Sequence, residues 1–386
     1  MKQIHFVGIG GISMSALAAI MHARGYTISG SDLVANDQTR MLEALGIKIH
    51  IGHRKRNSAG ADLIVINGAI LDENPELNNK IPIITREQLL AAIESTYPIR
   101  IAVAGTHGKS TTTAMIADIL VAANLNPTVH NGAVMQPINS NFIIGGNQIF
   151  LTEACEFKRS FLTLNPTVAV ITNIDYDHVD CYQDLDDTRQ AFSEFARRAQ
   201  TIIKTENTPP INFILKVPGA HNYENARAAA QVGRALGISE QTIQTALANF
   251  KGIDRRFQKI AVINDCEIIS DYAHHPAEIE TTIETAGSLY SRFLIVFQPH
   301  TYTRTLALFD DFAKILSYCE CALYKTYAAR ELPIYGGRAK DLAVHIRTKY
   351  IAAPKTLKNF IQKMSHKYDA IILTGAGDMQ SRFDGD

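Results

Sequence analysis

The run Gly105-Thr106-His107-Gly108-Lys109-Ser110-Thr111 sits between an apolar, β-branched stretch and a segment of helical periodicity. Strand, glycine turn and helix start is the architecture of an anion site. Glycines let the backbone close on phosphate oxygens, and the amides and dipole of the helix N-terminus favour negative charge. Lys109 adds a point charge for terminal phosphates, and the Ser110 hydroxyl can enter a Mg²⁺ shell. The spelling is not that of an ordinary Walker A loop, because Val103 stands where the first glycine is usual. Mg²⁺ needs further oxygen ligands. Glu153 ends the apolar run IFLTE, and Asp175, Asp177, His178 and Asp180 follow the run VAVITNI. Carboxyl ends of parallel strands share one side of a doubly wound sheet, so these groups fall on the side of the phosphate loop.

A second glycine turn opens the chain. Gly8, Gly10 and Gly11 follow the strand-like IHFV, Ser13 stands where a dinucleotide fingerprint has its third glycine, and Ser31-Asp32 come about 20 residues later. A pyrophosphate on that helix N-terminus satisfies the same physics whether or not it belongs to a dinucleotide. In the last third, adjacent His274 and His275 point opposite ways on an extended segment. That geometry assigns one to a substrate and one to structure rather than both to one metal. His300 reads as packing or hydrogen-bonding support, and Arg304 either as a bidentate partner for a carboxylate or as a surface arginine capping a helix.

The elements that must carry these residues alternate along the whole chain. IHFVGIG, DLIVING, IRIAVAG, VAVITNI, FLIVFQP and AIILTGAG are continuous apolar strands, separated by amphipathic helical patterns such as Met14 to Arg24. This rhythm predicts α/β domains with mostly parallel sheets covered on both faces. Breaks at the proline of STYPIR and at ANFKGIDRRF predict three segments: 1–97, 98–253 and 254–386. With 386 residues, 46% apolar content, and 38 Lys plus Arg against 38 Asp plus Glu, the chain has no basic excess for nucleic acid. No apolar run approaches the roughly 18 residues of a membrane span. The scattered, odd number of cysteines reads as reduced thiols, and the chain as cytoplasmic.

The motifs GTHGKSTT, GSD, TEACEFKRSF, TNIDYDH, HNYENARAAA, RRF, DYAHHPAEI and FQPHTYTRT resemble, in order, those of the Mur ligase superfamily. They are similar to its UDP-N-acetylmuramate–L-alanine ligase branch rather than to the tripeptide-adding branch. The resemblance implies a Rossmann-like UDP-binding domain, a central P-loop-type ATPase domain and a C-terminal Rossmann-like domain. It implies Gly8, Gly10, Gly11, Ser13, Ser31 and Asp32 on the UDP-sugar. Gly105 to Thr111, Asn222, Asn225, Arg256 and Asp271 would serve ATP. Ser110, Glu153 and His178 would hold two Mg²⁺ ions (or Mn²⁺), and Tyr272, His274 and Arg304 the amino acid. Lys109, Glu153, His178 and Arg256 become the catalytic set. The implied reaction has the lactyl carboxylate attack the ATP γ-phosphate, and L-alanine then attack the acyl phosphate. His178 and His274 are both candidates for the base. The implied protein acts as a monomer or homodimer.

Two departures from the pattern stand out. The segment between DTRQAFSEFARRA and the HNYEN motif is short, which predicts a compact central domain lacking several family strands. Thr301 replaces an arginine of some relatives, which leaves Arg304 to carry the amino-acid carboxylate alone. No lysine lies between His178 and Lys204, so the carbamylated lysine of sister ligases has no counterpart. A non-catalytic paralogue binding UDP-sugar or ATP, and a ligase for another amino acid or peptide, are the rival readings.

Overall fold

The computed structural model describes residues 2–77, 80–136, 138–176, 181–329 and 331–380. Three sheets organise them. In the first, five parallel strands lie in the order Lys48–Ile51, Thr27–Asp32, Gln3–Val7, Leu63–Ile66, Ile83–Thr85. The chain winds outward one way from Gln3–Val7 and then returns to wind the other way. The turn after that strand is therefore the switch point where such sheets take ligands.

The second sheet runs Thr201–Lys204, Val168–Ile171, Ile99–Ala104, Ile149–Glu153, Thr128–Met135, Ser140–Ile143. All neighbours are parallel except the last pair, a hairpin. Its centre is continuous apolar chain: Ile101 to Ala104 and Val168 to Ile171 are all buried. The helix Lys109–Ala122 leaves the central strand and buries Ala114, Met115, Ala117 and Leu120. The third sheet, Gln258–Ile263, Cys266–Asp271, Ala370–Thr374, Phe293–Phe297, Cys321–Tyr324, Lys349–Ile351, is parallel apart from its first hairpin.

The first sheet departs from the apolar pattern on one face. His5 pairs in register with Ser29, and Ser31 with His50, so polar side chains form rows across neighbouring strands. Beneath them lies Glu76, completely buried. Its carboxylate accepts from Ser31 Oγ at 2.5 Å, Asn57 Nδ2 at 2.6 Å and Arg54 N at 3.1 Å, and faces His5 Nε2 at 3.1 Å. Burial pushes its pKa up, but the bonds from His5, Ser31, Asn57 and Arg54 outweigh that and hold it near about 2.

The chain divides into two compact units, Met1–Lys216 with Asn222–Lys251, and Val217–His221 with Gly252–Asp386. Residues 208–219, which run from the first unit into the start of the second, carry neither helix nor strand. Arg227 Nη2 donates to the Thr208 carbonyl, which ties the connection to the following helix. Among the described residues no two cysteines are joined by a disulfide. No helix among the described residues is long and apolar enough to cross a membrane.

Candidate active site

The phosphate loop is built by two glycines whose backbones other residues could not easily copy. Gly105 has φ +147°, and a Cβ there would lie 1.8 Å from Thr172 Oγ1. Gly108 caps the helix at φ +81°, and its Cβ would meet Asn225 Oδ1 at 2.3 Å. The loop packs on the turn after strand Val168–Ile171: Thr172 Oγ1 donates to the His107 carbonyl at 2.6 Å, and Thr106 Oγ1 accepts from Asp175 N at 2.8 Å. Val103, where a Walker A glycine is absent, is a fully buried strand residue paired with Val170 and Glu153. The missing glycine is thus part of the sheet, not of the loop.

Lys109 Nζ donates to the carbonyls of Gly105 at 2.6 Å and Thr106 at 3.0 Å, and to Glu156 at 3.0 Å. Burial works against its charge, but the carboxylates of Glu156 and Glu153 outweigh this and its pKa is raised. Ser110 Oγ donates to Glu153 Oε2 at 2.6 Å, and Gly132 N donates to the same oxygen at 3.1 Å. A hydroxyl and a carboxylate at the mouth of a phosphate loop are the hard oxygen donors that Mg²⁺ takes, so these residues fit that ion. Among the described residues no group of three or more His, Cys, Asp or Glu side chains is gathered for a metal. His178, with Asp177 and Asp180, lies outside the described residues.

Asn225 reaches the loop from the helix Ala220–Ala235. Thr112 Oγ1 donates to its Oδ1 at 3.2 Å, and its Nδ2 donates to Asn222 Oδ1 at 3.3 Å. Both asparagines are buried. The run of Thr111, Thr112 and Thr113, poor helix material by propensity, is buried here, with the Thr112 hydroxyl joined to Asn225.

At the first glycine turn, Gly8 N and Ile9 N donate to the Ser31 carbonyl at 2.8 and 3.0 Å, and Gly10 N to Asp32 Oδ2 at 2.8 Å. A Cβ on Gly10 would lie 2.9 Å from that carboxylate. The helix Ile12–Ala23 starts at Gly11 with no side-chain cap and no acid in its first turn, which leaves its N-terminus able to receive an anion. Ser31 is fully buried and donates its hydroxyl to Glu76, so its side chain braces the turn. Ser13 faces His130 Nε2 at 2.8 Å and accepts from Arg86 Nη1 at 3.2 Å.

In the second unit, the carboxyl ends of Cys266–Asp271 and Phe293–Phe297 gather a cationic and aromatic cluster. The guanidiniums of Arg255 and Arg256 lie 4.8 and 5.6 Å from the Tyr272 ring centre, and Arg256 approaches Glu278 at 3.5 Å. His274 packs edge-on to Tyr272 and to His300, with centroids 5.4 and 6.0 Å apart. Burial lowers its pKa, and Arg304 adds to that against the pull of Glu278. His300 falls to about 4, by burial and then the neighbouring His274 and Arg304. His275 is the N-cap of the helix Pro276–Leu289, which gives it a structural place. Asp271 is buried, accepts from Thr282 Oγ1 at 2.9 Å and from Ala273 N at 3.2 Å, and its pKa is raised chiefly by burial. Thr301 adopts φ +63° and caps the short helix that carries Arg304.

The sequence motifs therefore reassemble as three clusters. Glu156, Arg86, His130 and Arg255 escaped the sequence reading. Glu156 stood inside a quoted motif three residues from Glu153, a signal that was available. Arg255 was next to Arg256 in RRF, and it donates to the carbonyls of Gly375 at 2.6 Å and Gly377 at 3.1 Å.

Known proteins resemble this chain along most of its length. Residues 3–97 match the family model described as Mur ligase family, catalytic domain, 103–209 the Mur ligase middle domain, and 255–377 the Mur ligase, glutamate ligase domain. The chain belongs to the Mur ligase family. The UDP-N-acetylmuramate–L-alanine ligase of Agathobacter rectalis is 38% identical over 439 aligned positions, covering 98% of this chain and 96% of the relative. That of Acetivibrio thermocellus is 37% identical over 98% of this chain and 94% of its own length. Since 439 aligned positions exceed 386 residues, at least 53 positions of the first relative have no counterpart here. The crystal structure of the UDP-N-acetylmuramate–alanine ligase of Thermotoga maritima superposes with a TM-score of 0.85 at 27% identity. It covers 99% of this chain and 97% of that one. This Mur ligase thus has the family's three α/β domains in a shorter chain.

Proposed function

We propose that the protein is a cytoplasmic, ATP-dependent ligase that joins L-alanine to the lactyl carboxylate of UDP-N-acetylmuramate, a peptide step in peptidoglycan precursor synthesis. The observation that carries the chemistry is the strand-end grouping of Lys109, Ser110 and Glu153 behind a glycine loop. Full-length similarity to alanine ligases carries the substrate.

The carboxylate of the sugar attacks the γ-phosphate of ATP, ADP leaves, and the amine of alanine displaces phosphate from the acyl phosphate. Phosphoryl transfer asks for positioning and charge neutralisation more than covalent help. Lys109 supplies a fixed cation, and Arg256 a second one. Mg²⁺, when bound by Ser110, Glu153 and His178, supplies further charge neutralisation to the phosphates. Gly8 to Gly11 and the open helix start hold the UDP pyrophosphate, with Asp32 bracing the turn. Asn222 and Asn225 lie on the ATP side and Asp271 beside the ribose. Arg304 pairs with the amino-acid carboxylate and Tyr272 walls it. His274, kept neutral by burial, accepts the ammonium proton.

Phosphate release, measured with UDP-N-acetylmuramate, ATP, Mg²⁺ and a panel of amino acids, tests this. Release peaks with L-alanine and falls at least ~100-fold in Lys109→Ala. No release with any amino acid from folded protein overturns the ligase reading. A peak with glycine or serine overturns only the amino-acid assignment.

A further inference from the structure

The strand Thr128–Met135 touches the helices that follow both glycine turns of the first unit. Its His130 is 2% exposed, and each ring nitrogen has a partner: Nε2 with Ser13 Oγ at 2.8 Å, Nδ1 with Thr152 Oγ1 at 2.9 Å. Burial, and secondly the Arg86 guanidinium, depress its pKa to about 3, so the ring is neutral and holds one proton.

The donors and acceptors fix where that proton sits. Thr152 Oγ1 gives its single hydrogen to the Glu153 carbonyl at 3.0 Å, so it must accept from His130 Nδ1–H. Nε2 is then an acceptor and takes the Ser13 hydroxyl hydrogen. Arg86, which can only donate, faces the Ser13 lone pair at 3.2 Å. Every bond runs one way, from Arg86 through Ser13, His130 and Thr152 to Glu153, with no conflict. Ser13 is thereby committed to the protein interior, and Arg86 is the group left at the first turn to meet an anion.

The same strand holds the far end. Asn131 Nδ2 donates to the Ser110 carbonyl at 3.2 Å, and Gly132 N to Glu153 Oε2 at 3.1 Å. Its hairpin partner Asn141 donates to the Ile12 carbonyl at 2.6 Å, at the start of the first helix. A Cβ on Gly132 would lie 2.4 Å from Glu153 Oε2, so only a glycine there leaves the carboxylate in this place.

Resting on the ligase reading, we propose that His130 is a positioning residue that couples the UDP-sugar turn to the Glu153–Ser110 side of the ATP site. It touches neither substrate. An anion that draws Arg86 away from Ser13 orders the chain toward Glu153, and a nucleotide with its ion on Glu153 and Ser110 orders it in reverse. Linkage makes the two effects equal.

The test is the dissociation constant of UDP-N-acetylmuramate by calorimetry, with and without Mg²⁺ and a non-hydrolysable ATP analogue. The wild type shows tighter binding with nucleotide, by at least ~5-fold. His130→Leu brings the ratio within about twofold of unity, while His130→Gln, whose amide can donate to Thr152 and accept from Ser13, recovers part of it. Thr152→Val, a near-isosteric loss of one link, decides the matter should His130→Leu not fold. A wild-type ratio of one, or a wild-type ratio retained in folded His130→Leu or Thr152→Val, overturns the coupling and leaves the ligase reading standing. Failure of the wild type to bind UDP-N-acetylmuramate at all overturns both.

Discussion

Lys109 and Glu156 form an ion pair from which water is largely excluded, with side chains 13% and 3% exposed. Removing one partner of such a pair leaves the other charge uncompensated, a cost of about 3–5 kcal/mol. Glu156→Gln should therefore lower the melting temperature markedly. ATP phosphates offer Lys109 a replacement counter-charge. The thermal shift produced by Mg²⁺–ATP should accordingly be larger in Glu156→Gln than in the wild type, as scanning fluorimetry would measure. An equal or smaller shift would mean that Lys109 does not meet the phosphates. Glu76 gives a second test at this scale. Its folded pKa of about 2 lies below the ordinary 4.5, so its contribution is complete above about pH 4.5 and is lost as pH falls toward 2. The difference is about 3 kcal/mol. Glu76→Gln should abolish that part of the acid dependence in denaturant melts between pH 2 and 5.

The glycine turns are where elements meet, and their substitution separates positioning from folding. Gly105→Ala adds strain at positive φ and a contact with Thr172, so both stability and nucleotide binding should fall. Gly132 is different, because its φ is ordinary and its near neighbour is the tip of one side chain. Gly132→Ala should displace Glu153, costing ~100-fold in phosphate release with little change in melting temperature or UDP affinity. What the sequence made legible follows the same division. The phosphate loop was readable because strand, glycines and lysine fall within a dozen consecutive residues. Glu153 was readable because an acid closing an apolar strand has a fixed place in a parallel sheet. His130 and Arg86 were not, since their shared partner Ser13 lies 117 and 73 residues away from them. Nothing local distinguishes a buried bridging histidine from one packed in a core. The turn residues Ser31 and Asp32 were found by motif, but only the fold shows that Ser31 gives its hydroxyl to a buried carboxylate.

Across the whole molecule, this Mur ligase has 386 residues where the alignment with one relative spans 439 positions, and its residues 208–219 carry neither helix nor strand. Two compact units predict separable melting. In calorimetry, UDP-N-acetylmuramate should raise the transition of the unit that carries both glycine turns and leave the other unmoved. A single transition that shifts as a whole would show that the units unfold together. Chelation of divalent ions should abolish phosphate release, and Mg²⁺ or Mn²⁺ should restore it, while binding of UDP alone persists.

Asn225 has a consequence for anyone who wishes to cut this protein. The family's middle domain matches only to residue 209, yet the phosphate loop leans on a helix that begins at Ala220, among the five residues, Val217–His221, that the chain contributes to the other unit. A fragment ended at 209 would keep the whole lysine loop and still lose the amide that fills the space over Gly108 and steadies Thr112. A piece that preserves the loop's surroundings runs to Lys251, so expression boundaries belong after the next helix, Glu240–Ala248, and not at the end of the recognisable motif.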